Sequence, residues 1–167
     1  MKLPKTYTTI NETGCCAVPN TDDWDKKEVT FENQRFIKMH TRSFLYVPLN
    51  MSRVMTAIQK AAEEAGALMP PQEAMILSRD LSPWEAEQLY AVSKPVPGLE
   101  NIELSGTFLT MVFEGPYQNA KNWYTTLQDF AKSRGQEVFK TYFFYTTCPK
   151  CAKHYGKNYT YGLAQIG

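Results

Sequence analysis

The sequence predicts an α+β domain in which a strand–helix–hairpin plan occurs twice. The two halves are expected to share one antiparallel sheet, with two helices on one face and a cleft between the halves. Three observations predict this. The same order of patterns runs through residues 35–96 and again through 102–166. Each half holds one stretch of helical spacing closed by a glycine, Gly66 in the first and Gly135 in the second. Ten Tyr, nine Phe and three Trp among 167 residues suit a strand-rich core and a ring-lined pocket. A chain of this length fits a single domain and buries roughly 70% of its unfolded surface, enough to fold without a staple.

Residues 1–34 read as an irregular lead packed on the domain. Thr13-Gly14-Cys15-Cys16 is followed by the turn-prone Pro19–Asp23, and Val29–Phe31 is a short strand. Residues 35–48 form a strand, with Phe36, Lys38, His40 and Arg42 on one face and Ile37, Met39 and Thr41 on the other. Pro48 ends it and Asn50 is the expected N-cap. Val54, Ile58, Ala61, Ala62 and Ala65 then recur at helical spacing up to Gly66. Glu73–Ser78 is a short buried strand, Arg79–Glu85 a turn and Ala86–Pro95 the returning strand. Pro95, Pro97 and Gly98 mark a connector, so the halves are about 35–97 and 102–166.

The second half repeats the order. Ile102–Phe113 is a strand, and Gly115-Pro116-Tyr117 turns into a helix with Ala120, Trp123, Leu127, Phe130 and Ala131 on one face. Val138–Thr147 is strongly strand-prone, 148–157 is a turn region and Asn158–Ile166 is the last strand. A repeat this long is a duplicated fold, not a solenoid unit.

Composition excludes several function classes. Net charge is +1 with no basic stripe, which argues against nucleic acid. No apolar stretch approaches the ~20 residues that span a bilayer, so no membrane partner is expected. The first residues carry no apolar signal region, so the expected location is cytoplasmic. There is no Gly-x-Ser-x-Gly elbow, phosphate loop or His-Glu-x-x-His, and no organic cofactor is implied.

Cys148-Pro149-Lys150-Cys151 lies in what reads as the second hairpin turn. A Cys-x-x-Cys turn aims two sulfurs at one point, as half of a structural zinc site. Cys15 and Cys16 are the other candidate ligands if the lead folds over the hairpin tip, with His154 as a spare. A redox pair, disulfides and thiols without a ligand stay open beside zinc. The matching turn of the first half, Arg79–Glu85, has no cysteine, so a metal clip would be an addition at the rim. A closed thiolate site leaves no position for substrate and bears on stability.

The first hairpin carries Trp84, Glu85, Glu87 and Tyr90. Period 2 puts Glu85, Glu87 and Leu89 on one face and Ala86, Gln88 and Tyr90 on the other. A carboxylate there that faces an aromatic wall would have a raised pKa and act as acid or base. Glu114, with Tyr117 beside it, is the second acid. Tyr142 and Tyr145 lie on opposite faces of their strand. The candidate catalytic residues are therefore Glu87, Glu114 and Tyr145, and the candidate ligand-binding rings are Trp84, Tyr90, Tyr117, Tyr142 and Phe44. Plainer roles stand beside these. Acids at a hairpin tip are usually solvated, Glu114 is placed to support a helix N-terminus, Trp123 suits a core and His40 an ordinary strand position.

Val112–Tyr117, the helix with Trp123, Gly135 and the aromatic strand after it resemble the GyrI-like (gyrase-inhibitor-like) small-molecule-binding family, as does the duplicated plan. The resemblance spans about residues 35–166. It implies an aromatic cleft between the halves with an acid that meets flat cationic ligands. Stand-alone members include hydrolases that open reactive cyclopropane rings. Others are ligand domains of transcription regulators, and this chain shows no DNA-binding segment. It also departs from the pattern, since Asn158–Gly167 holds no Asp or Glu. The expected function is thus hydrolysis of hydrophobic or electrophilic aromatic compounds by a carboxylate and a tyrosine. The alternatives are a non-catalytic binder of flat cationic ligands and, third, a thiol or metal redox protein.

Overall fold

The computed structural model describes residues 3–14 and 16–146, and from 149 to 167 the backbone, with side chains from Cys151 onward. The elements are β1 (Lys27–Phe44), β2 (Val47–Pro48), α1 (Met51–Glu64), β3 (Ile76–Ser82), β4 (Glu85–Ala91), β5 (Glu100–Glu114), α2 (Ala120–Ser133), β6 (Lys140–Tyr145), α3 (Pro149–Tyr155) and β7 (Tyr159–Gln165). The described strand registers are all antiparallel, and the fold is α+β as predicted.

The chain forms two compact units. The minor unit holds Asn33–Pro70 and Met75–Ser105; the major unit holds Met1–Glu32, Pro71–Ala74 and Gly106–Gly167. In the minor unit the strand order is β2-β1-β4-β3, and in the major unit β6-β7-β5. In both, the leading strand pairs with the second arm of its hairpin: β1 with β4, β5 with β7. The duplicated plan therefore holds at the level of topology.

In the minor unit, Val54, Ile58 and Ala62 of α1 pack with Ile37, Ala67, Val92 and Val96, and Met39 and Tyr90 border them. Burying a Val or Ile side chain is worth about 1.5–3 kcal/mol, so this stripe fastens α1 to one face of the sheet. Gly66 ends the helix in the left-handed region at φ 64°, and its N–H reaches the Glu63 carbonyl at 3.0 Å. Asn50 does not cap α1 through its side chain as the sequence suggests. Its Oδ1 instead accepts from the Arg42 N–H at 2.8 Å, which ties the chain after β2 back to β1.

In the major unit, Phe113, Trp123, Leu127 and Ala164 form the core under α2, where Phe113 stacks on Trp123 at 5.5 Å. The opposite sheet face is aromatic. Trp24 stacks on Tyr161 at 5.5 Å, Phe31 lies 4.8 Å from Phe108, and Tyr7 meets Phe144 edge-on at 5.9 Å. Trp24, from the lead, is fully buried, and its indole N–H donates to the Lys5 carbonyl at 3.0 Å.

Several expected boundaries are corrected. The short strand at 29–31 and the strand from 35 are one strand, β1, which turns through Asn33 at φ 48°. The expected turn at Arg79–Glu85 is far tighter. β3 runs to Ser82 and β4 starts at Glu85, with a register shift between Asp80 and Ser82. A strand absorbs such an extra residue as a bulge, which local turn propensity does not reveal. The turn region at 148–157 contains a helix, α3, that begins at Pro149 and ends before Gly156 at φ 73°. Proline's locked φ suits a first helical position, and glycine suits the position past the end. Among the described residues no helix is long and apolar enough to cross a membrane.

Candidate functional site

The β1–β4–β3 register of the minor unit builds one charged face opposite α1. His40 lies across from Glu87, Arg42 from Glu85 and Arg79 from Glu87. Alternation then puts Lys38, His40, Arg42 and Arg79 on the face of Glu85 and Glu87. Gln88 and Tyr90 take the other face, as the sequence suggests. Gln88 receives the Ser78 hydroxyl and donates to Thr41 Oγ1, and Tyr90 borders the α1 core, where burial raises its phenol pKa.

Glu87 is mid-strand and only 4% exposed. Its Oε1 lies 2.9 Å from Lys38 Nζ, and its Oε2 accepts from Arg79 Nε at 3.0 Å. Lys38 Nζ also lies 3.6 Å from Glu100 Oε2. Burial pushes the Glu87 carboxyl up, but hydrogen bonds and charge from Lys38 and Arg79 outweigh it, and the group ends below the usual carboxylate range. The expectation of a raised pKa is therefore corrected for Glu87. The wall it faces is cationic, not aromatic. Burial raises the pKa of Asp80, in the neighbouring strand.

One cross-strand step away, His40 Nδ1 is bonded to Glu85 Oε1, and both side chains are about half exposed. In the neutral tautomer that donates Nδ1–H to a carboxylate, the imidazole lone pair lies on Nε2. At the strand ends beyond this pair, Phe44 and Trp84 meet edge-on at 5.7 Å while 57% and 55% exposed. The Ser43 N–H donates to the Trp84 carbonyl at 2.8 Å, which holds the two strand ends together. The β1–β2 turn is made by Leu45 and Tyr46, both left-handed at φ 47° and 71°. That turn normally takes Asn or Gly, and side chains of this size hold it at about 1–2 kcal/mol per residue. The fold thus displays a strained, exposed aromatic tip beside the His40–Glu85 pair.

The remaining candidates lie in the major unit. Glu114 is the last residue of β5, across from Tyr159, and exposed. Tyr145 shares a cross-strand row with Thr160 and Phe113, and so faces the α2 side, opposite to Glu114. These two are not brought together. Tyr142 lies on the other face from Tyr145, is buried and packs 6.4 Å from Phe108. Tyr117 is exposed in the 3-10 turn before α2, and Trp123 is core. Of the proposed metal ligands, Cys15 and Cys148 lie outside the described residues. Among the described residues no group of three or more His, Cys, Asp or Glu is placed to hold a metal.

The sequence reading names Glu85, Glu87, Trp84 and Phe44, gives His40 a structural role and does not pair Lys38 or Arg79 with Glu87. The one available signal was the row Lys38, His40, Arg42 at period 2; what faces it is set by register. No curated protein matches the chain. A family model described as "Bacterial hydrolase" matches residues 6–166. The chain, whose minor unit carries a buried carboxylate between two cations and an exposed histidine–carboxylate pair, belongs to that family of bacterial hydrolases.

Proposed function

We propose that the chain hydrolyses small hydrophobic, electrophilic compounds on the charged face of the minor unit. The observation that carries this reading is the His40–Glu85 pair beside the exposed Phe44 and Trp84 rings. The rings hold an apolar or aromatic substrate by its flat part. Glu85 orients His40, and Nε2 takes a proton from water as the water oxygen bonds to the electrophilic carbon. The carbon's bond to its leaving atom, or a strained ring bond, breaks in the same passage. The leaving atom takes a proton from the imidazolium or from solvent. Glu87 has both oxygens engaged, so it acts as a positioning residue that holds Lys38 and Arg79, whose charge favours a developing anion.

The matching strand orders of the two halves support the GyrI-like resemblance, and with it a ring-opening hydrolase, as does membership of a hydrolase family. A non-catalytic binder of flat cations is the second reading. It is favoured by the same aromatic pair beside Glu85, where ring faces and a carboxylate both attract positive charge.

The test is incubation with a panel of activated cyclopropanes and aryl esters in water labelled with heavy oxygen, read by mass spectrometry. Label should enter the product, and His40→Gln should lower the rate about 100-fold or more, the usual scale of general-base catalysis. Trp84→Ala should raise KM more than it lowers kcat. An unchanged rate in His40→Gln refutes the assignment. Saturable binding without product supports the binder instead.

A further inference from the structure

The β1–β2 turn puts apolar side chains where a hairpin in water normally carries polar ones. Phe44, Leu45, Tyr46, Val47, Leu49 and Trp84 are all more than half exposed, from 51% at Val47 to 66% at Leu49. They form one patch. Phe44 pairs with Val47 across the turn, and its ring meets Trp84. The Tyr46 N–H donates to the Pro83 carbonyl at 2.9 Å, and the Leu49 N–H donates to the Arg42 carbonyl at 2.9 Å. Leu45 and Tyr46 hold this place against their backbone preference, at φ 47° and 71°. Asn-Gly makes such a turn without strain, so local folding does not account for a leucine and a tyrosine there.

The size of the patch points to a partner. Rings of this kind cover roughly 150–250 Å² each when buried, so three rings and three aliphatic side chains, each a little over half exposed, leave on the order of 700 Å² open. That exceeds the roughly 300–600 Å² of the largest apolar patch on a typical monomer. Two such patches laid together bury about 1,400 Å², inside the range of a standard stable interface. Charge narrows the choice of partner. The exposed or half-exposed charges nearest to the patch along the chain are Arg42 and Arg53, of one sign, and Asp80 and Glu85, of the other. A rim with both signs in equal number offers no matching field to a strongly anionic or cationic partner. It is complementary to a copy of itself, because a two-fold axis sets the cations of one copy against the acids of the other. β2 is the end strand of the minor sheet, and Pro48 within it lacks a donor, so the contact is made by side chains and not by adding a strand.

We propose that the chain forms a two-fold dimer in which the β1–β2 turns of two copies pack on each other. Phe44 and Trp84 lie at the margin of this contact, next to His40–Glu85, so the partner's turn walls one side of the ring site without filling it. The interface rests on the area and charge of the tip, not on the hydrolytic reading.

The test is sedimentation of the full chain in reductant, so that cysteines do not link copies, and without substrate, so that its result is separate from hydrolysis. The wild type should sediment at twice the 19.1 kDa of the chain in the micromolar range. The double variant Leu45→Asn, Tyr46→Gly supplies the preferred turn and removes the two side chains. It should keep the wild-type circular dichroism and weaken the dimer about 30-fold or more, the scale of losing a central anchor. Leu49→Lys, which leaves the turn intact and sets like charges against each other across the axis, should do the same and decides the matter if the double variant fails to fold. A wild type that stays at 19.1 kDa throughout the micromolar range overturns the proposal, as does a dimer that persists in both variants. A monomer that binds phosphatidylcholine vesicles through the turn overturns it in favour of a lipid surface.

Discussion

Replacing Glu87 by Gln keeps the side chain's shape and removes its charge. In the native protein the carboxylate makes two charge-assisted contacts, 2.9 Å to Lys38 and 3.0 Å to Arg79. Hydrogen bonds of this type are each worth about 1.5–3 kcal/mol, and breaking a buried pair from one side costs about 3–5 kcal/mol. Lys38 and Arg79 keep 29% and 28% of their side-chain surface in water and recover part of their hydration. Gln also retains an acceptor oxygen. The expected loss is therefore about 2–3 kcal/mol, below the full one-sided cost. Urea unfolding at neutral pH, followed by tryptophan fluorescence, should show a midpoint lowered by about 1–2 M with the slope unchanged. The pH dependence supplies the sharper check. Lys38 and Arg79 set the folded carboxyl pKa below its ordinary 4.5, against the opposing effect of burial. A group depressed in the folded state adds stability that is present above its unfolded pKa and lost as pH falls through its folded pKa. The gap between wild type and variant should thus be full at neutral pH and shrink below about pH 4.5. Lys38, whose pKa is raised chiefly by its hydrogen bond to Glu87, stays charged throughout. A gap under about 0.5 kcal/mol at neutral pH, the scale of an ordinary surface change, would refute the ion-pair account. So would a gap that persists unchanged in acid.

Two further outcomes are expected. In Gly162→Ala the new methyl would sit 2.9 Å from Phe113 Cε2 and 3.0 Å from Leu127 Cδ2, and the α2 core has to shift. A loss of about 1–3 kcal/mol is expected in urea unfolding, and a neutral variant would show that this core yields more easily than its contacts imply. Tyr161 is buried, donates to the Thr6 carbonyl at 3.0 Å, and has its phenol pushed well above the ordinary 10.0 by burial and the Asp23 charge. It should stay protonated while exposed tyrosines titrate in the ultraviolet, and its stability contribution should be lost as pH rises above about 10, because only the unfolded chain then releases the proton. Ionisation of all ten tyrosines in one step in the folded protein would contradict this.

The elements that the sequence determined are those whose signal is local. The stripes of Val54, Ile58 and Ala62, and of Trp123, Leu127 and Ala131, turned out to be the buried faces of α1 and α2. Gly66 and Gly135 ended those helices because φ of 64° and 70° suits a residue without a side chain. Alternation along 35–44 and 85–90 was enough to separate Glu85 and Glu87 from Gln88 and Tyr90, since side chains on a strand have period 2. The duplicated order followed from these pieces. Tertiary structure decided what each face meets. Glu87 could be read as a strand acid, but its partners Lys38 and Arg79 come from two other strands, and only the register brings them within 3.0 Å. Its pKa fell instead of rising for that reason. Nothing in the spacing marks His40 as the partner of Glu85, because the two are 45 positions apart in sequence. The same holds for Thr13 and Cys151, 138 positions apart. Spacing along a chain reports which residues share a face; the pairing of strands and the docking of loops, which depend on contacts across the whole chain, determine which charge, ring or sulfur stands opposite.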